Sequence, residues 1–489
     1  MKRPGVKRLL LGTVGLVGVL AAVVLIRTFS FTSKQLDAPP ADPLKLDEAR
    51  AVENLRRALR IKTISSEDPA QTPVEALEAF HALLAEAFPK VHAALKKETV
   101  SDHALLYEWT GTESKRSPML LLAHMDVVPA NPNNEWEHPP FSGDLADGYI
   151  WGRGAIDDKS SVLGILEAVE VLLVEGFGPK RTVYLAFGHD EEVSGANGAA
   201  KIAALLASRG VKAEFSHDEG LAVVEGIVPG ITQPVALIGT AEKGYASLEL
   251  TVSCKGGHSS QPPPHTALGI LSAAIVKLEE HPLPAAIRGP VREMFDVLGP
   301  EMPFFERMAF ANLWLFGGLV KRELEATNAA AAALRTTTAV TMMSGGTKDN
   351  VLPTRARAVV NFRLMPDDSI DGLLAHVNET IADERIQVRV LGTAQEASPV
   401  SDINAPSYTV LNRTIRQIFP GVVVAPCLDI GATDSRHYSN VAQDSYRFTP
   451  LWFKEEDLAR IHGPNERIAK DDYLRCIRFY AQFIRNAAS

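Results

Sequence analysis

Five short clusters of acidic residues and histidines are the most chemically informative feature of this sequence. They are His124-Met125-Asp126, Asp157-Asp158-Lys159, Asp190-Glu191-Glu192, Asp218-Glu219 and the late His462. No single cluster can hold a metal ion alone, but together they offer two imidazoles and enough carboxylates for two zinc-like ions around a shared oxygen. Two ions about 3.5–4 Å apart activate water and polarise a carbonyl group at the same time. The pattern therefore indicates a metal-dependent hydrolase.

His124 and Asp126 follow the apolar run Met119–Ala123, which is typical of a buried parallel strand. Residues two apart on a strand point to the same face, so both side chains can enter one pocket. His124 is suited to ligate a metal ion, and Asp126 to orient the site without contacting the metal ion itself. A short H-x-D motif also occurs by chance, and a surface histidine is the alternative.

Asp157 lies in the segment Trp151–Lys159, whose glycines predict a tight turn close to a site. A carboxylate that uses both oxygens there could bridge two cations. The alternative is that Asp157 or Asp158 caps the helix that follows. The sequence alone leaves open which aspartate takes which task.

The three acids at 190–192 come directly after the apolar run Tyr184–Phe187. Adjacent carboxylates repel one another unless a cation or a proton compensates. Neighbouring side chains in a loop point apart, so one glutamate can ligate metal while the other faces water. That division suits a general base, which must reach the proton that it removes.

The composition is that of a globular protein, with 489 residues, 46% hydrophobic and 22% charged residues. A net charge of -9 and the lack of a basic patch argue against a nucleic-acid partner. Cys254, Cys427 and Cys476 are widely spaced, which favours isolated thiols over a disulfide framework.

The N-terminus carries an apolar or small-residue stretch, Leu9–Ile26, after four basic residues within the first eight positions. Its length approaches the roughly 20 residues that cross a bilayer, and the preceding charges predict a cytoplasmic N-terminus with an exported body. A cleaved signal peptide is the alternative, although the stretch exceeds the usual apolar region of about 7–15 residues. We expect a membrane-anchored protein with its catalytic domain on the periplasmic, extracellular or lumenal side.

Alternating strand and helix patterns after residue 48 predict an α/β fold with a mixed, largely parallel sheet. Period-two alternation at Ala246–Cys254 and Ala356–Leu364 predicts antiparallel strands of a smaller inserted α+β lid domain. The predicted division is an anchor or signal segment at 1–31, a linker at 32–47, the catalytic domain at 48–240 and 396–489, and the lid at 241–395.

Five further stretches accompany the clusters in order along the chain. They are EWEHPPFSG (135–143), DGYIWGRGAIDDKSS (147–161), GTAEKGYASLEL (239–250), KGGHSSQPP (255–263) and FANLWLFGGLVKRELEA (310–326). Over about residues 45–485 the sequence resembles the zinc metallopeptidase family 20, which contains carboxypeptidase S, aminoacylases and the N-fatty-acyl-amino acid synthase/hydrolase. The fatty-acyl branch looks closest.

The resemblance implies two Zn²⁺ ions per chain and a role for each residue that matches the family pattern. One ion would take His124 and Asp218 and the other Glu192 and His462, with Asp157 bridging. Glu191 would be the general base, Asp126 the partner of His124 and His258 a donor to the oxyanion. Asn350 and Arg436 would bind the substrate carboxylate. For His258 the alternative is a histidine in a turn, and for Arg436 an ion pair with Asp434.

The implied reaction is hydrolysis, or in reverse condensation, of the amide bond of N-fatty-acyl amino acids. A carboxypeptidase S-type peptidase that releases a C-terminal residue is the alternative, and an inactive binding protein is a third. The expected partner is a small amide or short peptide with a free carboxylate, and a homodimer is possible. The apolar stretch Met302–Val320 could line an acyl groove, but core packing is the simpler interpretation.

Overall fold

The computed structural model describes residues 4–131 and 135–489. The α-helices within these ranges are α1 (Pro4–Ser30), α2 (Glu48–Leu59), α3 (Val74–Ala87), α4 (Pro89–Ala94), α5 (Lys159–Val174), α6 (Ala199–Ser208), α7 (Ala267–Glu280), α8 (Gly289–Leu298), α9 (Phe304–Ala311), α10 (Leu313–Leu324), α11 (Asn328–Leu334), α12 (Ile370–Ile381), α13 (Pro406–Ile418), α14 (Glu455–Leu458) and α15 (Lys470–Ala488). Short 3₁₀ turns cover Pro69–Gln71, Glu191–Val193, Gly299–Glu301 and Asp434–Tyr438.

The β-strands in the same ranges form one large and three smaller sheets. They are β1 (Lys96–Val100), β2 (Ala104–Trp109), β3 (Met119–His124), β4 (Asp144–Ala146), β5 (Tyr149–Trp151), β6 (Val183–Gly188), β7 (Ala213–Asp218), β8 (Val223–Val224), β9 (Val235–Glu242), β10 (Gly244–Ser253), β11 (Gly257–His258), β12 (Thr337–Gly345), β13 (Val351–Leu352), β14 (Arg355–Leu364), β15 (Ile386–Gln395), β16 (Val423–Asp429), β17 (Ala442–Arg447), β18 (Trp452–Phe453) and β19 (Arg467–Ala469).

The large sheet carries the catalytic domain and has the order β1-β2-β6-β3-β7-β17-β9-β8-β18, with β16 beside β9. Its centre is parallel: β3 pairs with β6 and β7, and β7 pairs with β17. Along β3, Leu121 and Ala123 pack into the core beneath α5 and α15, whereas Leu120 and Leu122 pack against α6. Helices thus cover both faces, which explains the continuous apolar run of this strand. The predicted mixed, largely parallel α/β fold is confirmed.

β17 is the strand that joins the two halves of this sheet. It pairs with β7 on one side and with β9 on the other. In sequence it follows the second domain, so the chain returns from that domain into the middle of the first sheet.

The second domain is built on the antiparallel sheet β12-β14-β10-β15. Alternate residues of β10 and β14 form one apolar face, which α7 and α12 cover. β9 ends at Glu242 and β10 begins at Gly244, so the chain crosses between the two sheets at Lys243. This sheet lies within residues 241–395, the range predicted for the inserted lid, and contains both period-two strands.

Helices α8–α11 lie within the predicted lid range but outside the lid core. α8 packs on β16 of the large sheet, and Leu298 and Met302 share a core with Val423 and Ala425. The amphipathic pattern of these helices predicts an apolar face but does not say which sheet it covers.

Helix α1 is apolar and long enough to cross a membrane over Leu11–Ser30, and most of this stretch is exposed. The linker that follows has no regular secondary structure from residue 31 to 47. It is nevertheless held against the catalytic domain, because the Gln35 side chain accepts from Val424 N and donates to Val424 O.

Candidate metal centre and active site

His124 is the last residue of β3 and is 1% exposed. Its Nδ1 lies 3.0 Å from Asp126 O and 3.3 Å from Asp126 Oδ1. Its Nε2 faces the opposite way, 2.8 Å from Asp157 Oδ1 and 3.2 Å from Glu219 Oε1. A proton on Nδ1 leaves the Nε2 lone pair free to ligate, with Asp126 fixing the ring.

Asp157 is shared between two groups of potential metal ligands. Its Oδ1 belongs to a group with His124 and Glu219, and its Oδ2 to a group with Glu192 and His462. Within each group the ligand atoms lie within 4.8 Å of one another. His462 Nε2 is 3.1 Å from both Asp157 Oδ2 and Glu192 Oε2. Asp157 therefore lies between two groups of potential metal ligands, and its role as a bridging ligand stays a prediction.

Glu219, and not Asp218, completes the first group. Asp218 ends β7, is 1% exposed, and its Oδ1 accepts a hydrogen bond from the backbone N–H of Glu219. Consecutive residues at a strand end point to opposite sides, so only one acid of the pair can face His124. The structure therefore places Glu219, and not the predicted ligand Asp218, beside His124 and Asp157.

Asp158 takes neither of the two tasks that the sequence left open. It occupies the N-cap position of α5, but its side chain makes no capping hydrogen bond. Its Oδ2 instead accepts from the backbone N–H of His124, at 3.3 Å. Asp158 therefore stabilises the end of β3 through this hydrogen bond, while Asp157 alone belongs to both ligand groups.

The acids at 190–192 have three different roles. Asp190 accepts from the backbone N–H groups of Asn197 and Gly198, which fixes the loop before α6. The backbone N–H groups of Glu191 and Glu192 both donate to the Asp126 carboxylate, at 3.2 and 3.1 Å. Asp126 thus positions His124 and both glutamates at once. Glu192 joins the second ligand group, and Glu191 lines the cavity above both.

The electrostatics of these groups show an excess of buried negative charge. Burial, together with nearby Asp434 and Glu192, raises the pKa of Glu191 well above its usual range despite the proximity of His124. Burial and the charge of Asp157 likewise raise the pKa of Glu219. Hydrogen bonds to Asp157 and Glu192 raise the pKa of His462 to about 10. Buried carboxylates of this kind are stabilised by cations.

The side chains present fit divalent metal ions. Each group combines one imidazole with two carboxylates, a donor set suited to zinc and related ions. Glu192 Oε1 is buried and has no hydrogen-bond partner in the part of the chain that the structure describes. That atom is the kind of orphaned acceptor that a bound cation satisfies.

Arg153 and Glu466 join the loops that carry Asp157 and His462, and neither was assigned a role from the sequence. Glu466 Oε1 accepts from the backbone N–H groups of Gly154, Ile156 and Asp157, at 3.0, 2.8 and 3.2 Å. Its Oε2 lies 2.5 Å from Arg153 Nη1, and Arg153 Nη2 donates to His462 O. The signal for Glu466 was its position four residues after His462.

Gly154 shows why this loop needs glycine. Its φ is 88°, and a Cβ there would lie 2.8 Å from Val127 Cγ1. Any side chain would therefore push the loop away from the end of β3.

A cavity of about 210 Å³ opens above the two ligand groups. Its described lining comes from both, together with residues that include Leu221, Thr433, Phe453 and Ile461. The three predicted substrate-binding and oxyanion residues are not part of that lining.

His258 and Asn350 lie together on the lid, where the backbone N–H of Ser259 donates to Asn350 O. Arg436 donates instead to Ser194 O, at 3.0 Å. The structure describes no ion pair between Arg436 and Asp434, and the Asp434 carboxylate has no hydrogen-bond partner among the described residues.

Residues 120–486 match the sequence pattern of peptidase family M20/M25/M40. The chain belongs to this family. It is a hydrolase of the metallopeptidase and amidohydrolase type, and the family implies a bound metal.

Two similar curated proteins cover nearly the whole chain. The N-fatty-acyl-amino acid synthase/hydrolase PM20D1 of Xenopus tropicalis is 43% identical over 97% of this chain and 94% of its own length. The probable carboxypeptidase S-like 2 of Dictyostelium discoideum is 41% identical over 96% and 92%. The M20 family metallo-carboxypeptidase Sso-CP2 of Sulfolobus solfataricus shares the fold, with a TM-score of 0.63, 20% identity and coverage of 89% of this chain and 98% of that chain.

Proposed function

We propose that this protein hydrolyses, and in reverse forms, the amide bond of N-fatty-acyl amino acids. The observation that carries the proposal is the pair of ligand groups that share Asp157 beneath a cavity that Glu191 lines. Similarity over nearly the whole chain to an N-fatty-acyl-amino acid synthase/hydrolase supports the substrate class.

Two Zn²⁺ ions are the proposed cofactors. His124, Asp157 and Glu219 would hold one ion, and Asp157, Glu192 and His462 the other. Bound there, such ions supply Lewis-acid polarisation of the amide carbonyl and a more acidic water.

Glu191 is the proposed general base and then the general acid. Its carboxylate takes a proton from the attacking water and delivers it to the amide nitrogen as the C–N bond breaks. Asp126 aims this side chain through the hydrogen bonds to the Glu191 and Glu192 backbones.

Residues outside the cavity would complete the site around the substrate. His258 would donate to the oxyanion and Asn350, with Arg436, to the free carboxylate. Because His258 and Asn350 sit on the lid, closure of the lid or the lid of a second copy must bring them in. Arg436 must exchange its contact with Ser194 O for the substrate.

The acyl portion would leave the cavity over an apolar rim. Phe453 and Ile461 line the cavity, and Ile430 beside it is 46% exposed. A carboxypeptidase S-type peptidase would use the same catalytic residues, and similarity to a probable carboxypeptidase S-like protein supports that second candidate.

Helix α1 is the proposed membrane anchor, with the catalytic domain on the exported side. Its apolar span and the preceding basic residues support this topology. Intact mass of the protein recovered from membranes tests it, because a cleaved signal sequence would remove the first 30 or so residues.

The deciding experiment measures turnover of N-oleoyl-phenylalanine and of an N-blocked dipeptide by the full-length, metal-loaded protein. We expect cleavage of the lipid amide, and a loss of about 10²–10⁴-fold in Glu191→Gln with unchanged metal content. Glu455→Gln, at an exposed glutamate on α14, is the matched control and should remain active. Cleavage of the dipeptide alone would favour the peptidase, and an active Glu191→Gln would refute the mechanism.

A further inference from the structure

Helices α9 and α10 expose a group of large apolar side chains, here called the apolar shelf. It consists of Phe304, Phe305, Trp314, Leu315 and Leu319. Phe305, Trp314 and Leu319 are 74%, 56% and 57% exposed. On α10, Leu315 and Leu319 are four residues apart and lie on one helical face, and Trp314 lies about 100° from Leu315 around the helix. Contiguous exposed apolar surface of this kind marks a contact site.

The shelf has no role in the site or in a core described above. The described lining of the metal-site cavity contains none of its residues. The lid core and the catalytic cores also exclude them. The earlier interpretation of Met302–Val320 as lid core or acyl groove therefore does not account for these side chains.

The end of helix α1 is fixed directly to the shelf helices. Asn312, fully buried between α9 and α10, donates from Nδ2 to Val24 O at 3.2 Å and lies 3.3 Å from Thr28 Oγ1. Arg307 Nε donates to Thr28 O, and Arg27 Nε donates to Ala311 O. These bonds fix the position of the shelf along the axis of α1, at the level of residues 24–28.

This position along α1 corresponds to the surface of a bilayer. The 18 residues Leu9–Ile26 span about 27 Å at 1.5 Å per residue, close to the roughly 30 Å hydrocarbon thickness. Arg27 is the first charged residue after this span. Whether the span is taken to end at Ile26 or at Ser30, residues 24–28 lie within about 9 Å of its end at 1.5 Å per residue. Elements bonded to these residues therefore lie near the level where the hydrocarbon meets the headgroups.

The chemistry of the shelf suits that layer. Aromatic side chains such as Trp314 are enriched at membrane interfaces. Exposed Arg322, eight residues after Trp314 and on the same face of α10, can meet lipid phosphates. On the α1 side, Phe29 is 66% exposed and its ring centroid lies 6.1 Å from that of Phe304, which extends the apolar surface.

We propose that the apolar shelf inserts into the interfacial layer of the bilayer that α1 crosses. The proposal rests on the anchoring role of α1. The protein would then contact the membrane at two places, helix α1 and the shelf. The catalytic domain would therefore keep a fixed orientation at the membrane surface. An amphiphilic substrate in that leaflet would then lie beside the enzyme.

Tryptophan quenching by brominated lipid tests the insertion. The full-length protein is reconstituted in phosphatidylcholine–phosphatidylglycerol vesicles with bromines at shallow or deep acyl positions. We expect emission to be quenched more by shallow bromines, and Trp314→Phe to lose most of that quenching. Equal quenching in wild type and Trp314→Phe would overturn the proposal.

Charged substitutions separate the shelf from the anchor. Phe305→Glu with Leu319→Glu should remain resistant to extraction from the vesicles but lose the Trp314 quenching. Val276→Glu, at a 49% exposed position on lid helix α7, is the matched control and should quench like wild type. Extraction of the wild-type protein by alkaline carbonate would show that the anchor itself fails. Concentration-dependent cross-linking through the shelf, without quenching, would show that a second copy covers it and refute the lipid contact.

Discussion

Replacing Glu466 should weaken metal binding and destabilise the catalytic domain together. The side chain is fully buried, and its oxygens accept three backbone N–H groups and the Arg153 guanidinium. In Glu466→Ala the charge of Arg153 stays buried without its partner. Breaking a buried pair in this way costs about 3–5 kcal/mol of unfolding free energy. In Glu466→Gln one carbonyl oxygen can still accept the three N–H groups, so we expect a smaller loss, of about 1.5–3 kcal/mol for the charged hydrogen bond.

Metal affinity should fall because Glu466 positions the two loops that carry Asp157 and His462. Glu466 fixes the Asp157 backbone directly and, through Arg153, the His462 carbonyl. Substitution of such a supporting residue lowers metal affinity by about 10–100-fold. Chemical denaturation of the metal-free protein measures the first quantity, and competition with a chromogenic chelator measures the second.

Glu167→Gln is the matched control for both measurements. Glu167 is also fully buried and pairs with Arg50 and Asn54, each at 2.7 Å, but on helix α5 away from the ligand groups. It should lose stability without losing metal affinity. Unchanged affinity in Glu466→Gln, or an equal drop in Glu167→Gln, would show that Glu466 does not act by positioning the ligand loops.

Three further outcomes are expected. Glu219→Gln should lower the metal content measured by mass spectrometry, whereas Asp218→Asn should retain it, and the opposite result would restore the sequence-based ligand. Asp126→Asn should reduce activity or metal affinity about 10–100-fold with little change in the circular dichroism spectrum, since the change alters only the side chain that orients His124, Glu191 and Glu192. Burial lowers the pKa of Lys243 to about 8 from 10.5. The unfolded chain therefore binds more protons between these values, so the stability of wild type relative to Lys243→Met should rise across pH 8–10.5 by up to about 1.4 kcal/mol per pH unit. A flat difference in denaturation midpoints would contradict that shift.

The fold class could be predicted from the alternation of apolar strands and helices, and part of the site from the acidic residues and histidines at the ends of β3, β6 and β7. The structure places Asp157 in contact with both His124 and His462, and their roles as metal ligands stay a prediction. The choice between Asp218 and Glu219 could not be made, because it depends on whether β7 ends one residue earlier or later. Glu466 was overlooked because three of its partners are backbone N–H groups and the fourth, Arg153, lies more than 300 residues away in the chain, so only its position near His462 pointed to it.

The helices α8–α11 mark another limit of sequence reasoning. Their apolar faces are visible in the sequence, but the partners of those faces are not. Only the structure places α8 on β16, and α9 and α10 against α1.

The position of β17 between β7 and β9 sets an order of assembly. His124, Asp157 and Glu219 all precede the lid in the chain, whereas β17 and His462 follow it. During synthesis the first ligand group can emerge while the central sheet still lacks one of its inner strands. The lid can fold as a local unit in that interval, and the late strand must then enter between two strands that are already made. Such non-local pairing is slow to form. The second ligand group is therefore the last part of the active site to be completed, and a chain truncated before residue 442 would leave the sheet open.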